Sequence, residues 1–341
     1  MRALFGIEHP IAQGPFGGGL SSVALAAAVS EAGGLGSFGA HLLGPERITA
    51  LVADLRAATA KPFAVNLWVP HPGEDTVPDA AEFARHVDRV RPYLTEVGAP
   101  DPDGAGPFLP DFDAQLAALL AAAPPVISFV MGVPPEAAIT EARDRGIVTV
   151  GTATTVDEAV ALAAAGVHAV VASGSDAGGH RGAFLRPVGE SLVGTFSLVP
   201  QVADAVPIPV IAAGGIADAR GVAAALALGA DGVQIGTGFL ATKESGASAA
   251  HKAALHSAAA RSTTLTRLFT GRHARTIVNR MTRELADQED SVPGYPVQST
   301  VMAPIRQAGE PGLMSLWAGQ GAPLTRPRSA KDYVESLLAG L

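Results

Sequence analysis

Val167-His168-Ala169-Val170-Val171-Ala172 runs straight into Ser173-Gly174-Ser175-Asp176-Ala177-Gly178-Gly179-His180-Arg181-Gly182. The span Val167 to Ala172 has the apolar content of a strand buried on both faces, as in a parallel sheet. The second stretch is a glycine-rich loop that delivers a histidine beside an arginine. In parallel α/β proteins the carboxyl ends of strands open into the crevice or barrel mouth where ligands bind. Glycines clear space around a neighbouring side chain, so His180 is the first candidate for chemistry.

The same unit of apolar strand, Gly/Pro turn and alanine-rich helix recurs on both sides of this stretch. Upstream strands are expected at Pro10–Gln13, Leu35–Phe38, Phe63–Val69, Val126–Met131 and Ile147–Val150. Downstream strands are expected at Pro209–Ala213 and Gly232–Ile235. Helices are expected between them near Ser22–Ala32, Pro45–Ala57, Asp111–Ala122, Pro135–Arg145, Val156–Ala165 and Leu192–Ala203. Eight such units in series, with no antiparallel hairpin, predict an α/β fold of the (β/α)8 barrel type. A doubly wound sheet is the alternative, but no early glycine fingerprint is followed by an acidic ribose-binding residue at the right distance.

Two stretches break the rhythm. Residues from about 70 to 110, with a helix near Ala80–Tyr93, read as an insertion after the third strand over the active-site face. Beyond Ala249, a basic helical region from Arg261 to Arg283 and a Pro/Gly-interrupted tail read as a C-terminal helical cap. The expected division is a barrel over 1–248 and a cap region over 249–341 packed on it.

The 341 residues are 48% hydrophobic, ample for one sizeable core. Only 16% are charged, below the usual ~25%. A net charge of −8 argues against a nucleic-acid or anionic-membrane partner. With no cysteine there is no disulfide, thiolate nucleophile or Cys-ligated metal. No HExxH motif or carboxylate cluster signals a metal either. Gly-x-Ser-x-Gly is absent, which disfavours serine hydrolysis. The first ten residues hold no apolar core long enough for a signal peptide, and no apolar run approaches the ~20 residues needed to span a bilayer. A soluble cytoplasmic protein, monomer or homodimer, is expected.

Ala212-Ala213-Gly214-Gly215-Ile216 and Gln234-Ile235-Gly236-Thr237 end the last two strands. In barrels the loops there commonly bind phosphate, because glycine turns let backbone N–H groups approach the oxygens. The plainer alternative is a pair of tight βα turns. At this point the chain resembles the nitronate monooxygenase family, formerly called 2-nitropropane dioxygenases, FMN-dependent (β/α)8 barrels. The likeness runs in order through Gln13-Gly14-Pro15, Ala32-Gly33-Gly34-Leu35-Gly36, Pro62 to Trp68, Ser128 to Gly132, Asp176 to Gly182 and both glycine turns. It ends with Trp317-Ala318-Gly319-Gln320-Gly321, which is similar to the bacterial class I branch.

The resemblance implies FMN contacts at Gly14, Pro15, Asn66, Gly178 and Gly179, at Gly214 and Gly215, and along Gln234, Ile235, Gly236 and Thr237. Ser173 departs from the pattern, since many members carry a flavin-contacting glutamine there. It also implies that His180 is the active-site base, in agreement with the need for a group titrating near neutrality to take an α-proton or hold an anionic nitronate. The reaction expected is oxidation of alkyl nitronates, and by extension nitroalkanes, with O2 to carbonyl compounds and nitrite. Trp68, Tyr295 and Trp317 are candidate pocket walls. Asp176 and Arg181 could tune the imidazole, although Arg181 is read as a solvated loop charge. His41 could line the pocket, while His71, His86, His251 and His256 are read as solvated. The arginines from Arg261 to Arg283 are read as a solvated helix face or an intersubunit contact. Two rivals remain: an NAD(P)H-dependent flavin reductase of the same fold, acting on quinones or enoyl thioesters, and a non-catalytic barrel that binds a phosphorylated ligand.

Overall fold

The apolar runs become parallel strands whose side chains fill a barrel and face a ring of helices. In the computed structural model, which describes residues 1–339, the first six are β1 (Ile11–Gln13), β2 (Gly36–Gly39), β3 (Phe63–Trp68), β4 (Val126–Val130), β5 (Val148–Ala153) and β6 (Ala169–Ser173). A two-residue strand, β7 (Gly179–His180), leaves the barrel, which β8 (Val210–Ala213) and β9 (Gly232–Ile235) then complete. The order β1-β9-β8-β6-β5-β4-β3-β2 is parallel throughout. Closure between β1 and β2 is made by Leu35, whose N–H donates to Ile11 O and whose carbonyl accepts from Gln13 N–H, both at 2.9 Å. Alternate residues point inward, so Ala64, Val126, Val150, Ala169, Val171 and Ile211 share one interior cluster. Met1, Phe5 and Ile7 belong to the same cluster and close the end where the strands begin.

The helices start where short polar side chains can satisfy their free N–H groups. Ser22 caps Val23–Glu31, Asp79 caps Ala80–Glu96, Asp111 caps Phe112–Ala122, Thr155 caps Val156–Ala165 and Asp218 caps Ala219–Ala227. The helix after β6 begins at Thr195 rather than at Leu192, because the Asp176 carboxylate accepts from Thr195 N–H at 2.8 Å and anchors the first turn there. No helix of the described residues is long and apolar enough to cross a membrane.

The basic stretch from Arg261 to Arg283 corrects the sequence expectation. It is largely an antiparallel hairpin of β10 (Thr263–Thr266) and β11 (Ala274–Ile277), with a short helix at Arg280–Glu284. Three of the four β10 residues are β-branched threonines, which favour a strand, and Gly271 turns the chain at φ 86°. β11 pairs in turn with β7, setting Ala274 opposite His180 and Arg275 opposite Gly179. The arginines therefore do not form one solvated helix face: Arg275 is buried and donates to Ser175 O at 3.0 Å, whereas Arg261, Arg280 and Arg283 are exposed.

The tail does two jobs. Its hairpin and the segment up to Gly321 lie over the ends of β6, β8 and β9, and the last helix, Ala330–Leu337, returns to the barrel wall. There it packs between helices Val23–Glu31 and Ala219–Ala227, with Tyr333, Val334 and Leu337 in the cluster that holds Ile11, Val233 and Ile235.

Candidate active site

Three glycine turns meet on one side of the mouth. Gly14 N–H, just after β1, donates to Ile235 O at 2.8 Å, which lays that turn against Gly236. Gly214 and Gly215, after β8, have φ of 112° and 69°, backbone that other residues adopt only with strain. Across these turns runs the tail segment Trp317–Gly321. Gly319 N–H donates to Thr237 Oγ1 and Gln320 N–H to Asp176 O, each at 2.9 Å. A Cβ at Gly178 would collide with the Gly319 backbone nitrogen, and one at Gly321 would stand 2.5 Å from Gly215 O. Among the described residues, the backbone N–H groups of Gly215, Gly236 and Thr237 have no protein acceptor. Free donors on a glycine cradle are what a phosphate group needs. The N-terminus of the helix at Thr195 is not part of that cradle, since the Asp176 carboxylate already occupies it.

The remaining residues expected at the cofactor lie close by. Asn66 is buried at the end of β3 and donates to Ser128 O and Oγ, both at 3.0 Å. Pro15, Ser173 and Gln234 are half-buried at the ends of β1, β6 and β9, and Ile235 is buried. Gln13 was not among the expected site residues. It is fully buried, accepts from Ser37 N–H at 2.9 Å and donates to Gly14 O at 2.6 Å, so it fixes the first turn to β2. Its place before Gly14-Pro15 at a strand end was the signal that could have found it.

The opposite side is made of rings. Trp68 meets His180 edge-on with centroids 4.9 Å apart, and Trp317 lies 5.2 Å from the same imidazole. Trp68 stacks face to face on His41 at 3.8 Å and tilts against Tyr295 at 5.6 Å. Arg272 stands over both Trp68 and Tyr295, at 5.5 and 4.9 Å from their centroids, and pairs with Glu74 from the insertion. His180 Nε2 lies 2.9 Å from Thr270 Oγ1. Thr270 and Arg272 carried no local sequence signal, because only the pairing of β11 with β7 brings them to His180.

Burial and charge act in one direction here. His180 is pushed well below the ordinary histidine range, first by burial and then by the cations of Arg272 and Arg306 and by His41. Burial, with Arg272, likewise lowers His41 to about 3. Burial raises the Tyr295 phenol. Both imidazoles are thus neutral at neutral pH, and His180 can accept a proton.

The family model described as Nitronate monooxygenase matches residues 1–340. The chain belongs to that family. Its members are flavin-dependent oxidoreductases that convert nitronates and nitroalkanes. A probable nitronate monooxygenase of Staphylococcus aureus (strain MSSA476) is 37% identical, over 99% of this chain and 96% of that protein. The crystal structure of nitroalkane oxidase from Streptomyces ansochromogenes superposes with a TM-score of 0.90 at 40% identity, covering 99% of this chain and 96% of that one. FabK from Thermotoga maritima is also similar, with a TM-score of 0.77 at 32% identity over 99% and 94% of the two chains.

Arg181, His251 and His71 of this nitronate monooxygenase family chain differ from expectation, each because a backbone carbonyl claims it. Arg181 is buried rather than solvated, donating to Gly174 O at 2.6 Å and Ser173 O at 3.0 Å, and burial lowers it to about 10. It braces the loop that carries His180. His251 is buried against Trp317 O at 2.9 Å, which holds the tail tryptophan in place. His71 is half-buried and bonded to Met131 O at 2.8 Å, beside the left-handed Met131 (φ 76°). A cavity of about 300 Å3 adjoins this region, bordered by His71, Met131, Arg181, Phe184, Arg272 and His273. None of the glycine turns borders it, so it lies beside the mouth and not in the cradle.

Proposed function

We propose that the mouth holds FMN and that the enzyme oxidises alkyl nitronates, and nitroalkanes, with O2 to carbonyl compounds and nitrite. The observation that carries this reading is a neutral, ring-walled histidine facing glycine turns with free backbone donors. Gly215, Gly236 and Thr237 would hold the phosphate through N–H groups. Gly14, Pro15, Asn66, Ser173, Gly178, Gly179, Gly214, Gln234 and Ile235 would shape the rest of the cofactor site. When bound, FMN supplies the electron transfer and the reaction with O2.

The chain's own residues manage protons, charge and water. His180, neutral at physiological pH, takes the α-proton of a nitroalkane, and the imidazolium so formed pairs with the nitronate. Trp68, Trp317 and Tyr295 exclude water from that pair, which strengthens it. Arg272 adds positive potential on the same side.

The test is a visible spectrum of the purified protein, followed by aerobic incubation with propionate 3-nitronate and with 2-nitropropane. A yellow protein that releases nitrite is expected. A colourless protein would favour the non-catalytic barrel. Fast anaerobic reduction by NADH or NADPH, with no nitrite formed in air, would favour the reductase.

A further inference from the structure

We propose that Thr270 is a positioning residue that holds His180 as the Nε2–H tautomer and leaves Nδ1 to accept the substrate proton. This rests on the reading of His180 as the base. The Thr270 hydroxyl has one hydrogen and two neighbours: His180 Nε2 at 2.9 Å and Arg272 O at 3.2 Å. Among the described residues Arg272 O receives no other hydrogen bond. Thr270 is buried and its hydroxyl is the one donor that Arg272 O has among the described residues, so the hydroxyl hydrogen goes to Arg272 O. Oγ1 then has only lone pairs for the imidazole, and Nε2 must carry the proton.

The arrangement is fixed by the fold. Thr270 is buried in the turn between β10 and β11. β11 pairs with β7, with Ala274 opposite His180 and Arg181 N–H donating to His273 O at 2.9 Å. The turn cannot shift without breaking that ladder. The other ring nitrogen is placed differently. Nδ1 of His180 makes no hydrogen bond with the described residues, yet it is not sealed in, whereas Nδ1 of both His41 and His251 is buried without a partner. The charged and titratable groups facing His180 are Arg272, Arg306 and His41, with Glu74 engaged by Arg272. No carboxylate orients the imidazole, so the neutral hydroxyl does.

The step balances without a further reagent. The substrate C–H bond breaks, the Nδ1–H bond forms, and the electron pair stays on the substrate as the nitronate. Preformed nitronates skip this step, which gives the experiment its second axis.

The experiment uses the full flavin-loaded chain labelled with 15N in histidine, as wild type, Thr270→Ser and Thr270→Val, with His180→Gln to assign the signal. Long-range proton–nitrogen correlation at pH 7.5 reads the tautomer directly and needs no turnover. Wild type and Thr270→Ser are expected to show protonated Nε2, and Thr270→Val to shift toward protonated Nδ1. Nitroalkane kcat is expected to fall about tenfold in Thr270→Val, less than the ~10²–10⁴-fold for outright loss of a general base, since the imidazole is still there but misoriented. Thr270→Ser should recover it, and turnover of preformed nitronate should change little. A wild-type imidazole protonated on Nδ1, or a Thr270→Val enzyme with unchanged tautomer and rate, overturns the proposal. Absence of nitrite from every substrate would instead overturn the functional reading, and the tautomer result would still stand.

Discussion

On one side of the mouth the turns after β1, β8 and β9 present glycines and free backbone N–H groups. On the other, His180 is walled by Trp68, Tyr295, Trp317, Thr270 and Arg272. The first side recognises with main chain and carries no titratable group of its own. The second works with side chains, and burial and two arginines set its protonation. The tail joins them within three residues: Trp317 stands against His180, and Gly319 bonds Thr237. Substitutions should therefore separate by side, those on the glycine side changing cofactor retention and those on the ring side changing proton transfer and acid stability.

The largest effect is expected at His180. His180→Asn should lower nitroalkane turnover by about 10²–10⁴-fold, the usual contribution of a general base. Oxidation of a preformed nitronate, measured in the same assay, should fall far less. Equal losses on both substrates would make His180 a binder and dissolve the contrast between the two sides.

Glu74 comes next. It and Arg272 form an ion pair with side chains only 11% and 10% exposed, so Glu74→Gln would leave a guanidinium charge uncompensated against two rings. Breaking a buried pair in this way costs about 3 kcal/mol of stability, readable as a lower urea midpoint. The extra positive potential should also move the acid limb of the nitroalkane pH–rate profile further down. A midpoint like wild type would mean that the pair does not clamp the insertion to the hairpin.

On the glycine side, Gly178→Ala sets a Cβ against the Gly319 backbone and must move the tail off the turns. FMN affinity, followed by the fluorescence of released flavin, should weaken by roughly tenfold, as for the loss of one or two backbone contacts. Gly309→Ala, outside the cofactor site, is the control: its Cβ meets open space, leaving only the strain of φ 76°. Similar flavin loss in both would point to general backbone strain rather than to the tail as what holds the cradle together.

The two sides also differ in how far the sequence reveals them. Barrel strands announce themselves as apolar runs, and their edges fall within three residues of expectation, as with Val148–Ala153 against Ile147–Val150. Paired glycines at strand ends mark the cradle because turn, φ and close approach are local demands. The ring side depends on contacts between residues far apart in the chain. The hairpin β10–β11 is short and arginine-rich, so it reads as helix until its partner Gly179–His180 is known. Arg181 is a charge-bearing type whose burial rests on how its own loop folds back onto the Ser173 and Gly174 carbonyls, and His251 rests on Trp317 O, which no window around it displays. Thr270 is an ordinary turn threonine until the ladder sets it beside His180.

The smallest effect tests whether acid attacks the ring side first. His41 has a folded-state value of about 3 against 6.5, lowered by burial and then by Arg272. Unfolded chain therefore binds more protons than folded chain, and stability falls as pH drops. The contribution is complete above about pH 6.5 and is lost as pH falls from there through about 3. His180 adds a loss of the same sign. The chain's 2 tryptophans, Trp68 and Trp317, both stand in this wall, so selectively excited tryptophan emission reports on the ring side. Between pH 7 and pH 4 the thermal midpoint read by tryptophan should drop, and His41→Gln should make that drop shallower. Parallel drops in wild type and His41→Gln would place the acid-sensitive groups elsewhere and leave the ring side distinguished by its catalysis alone.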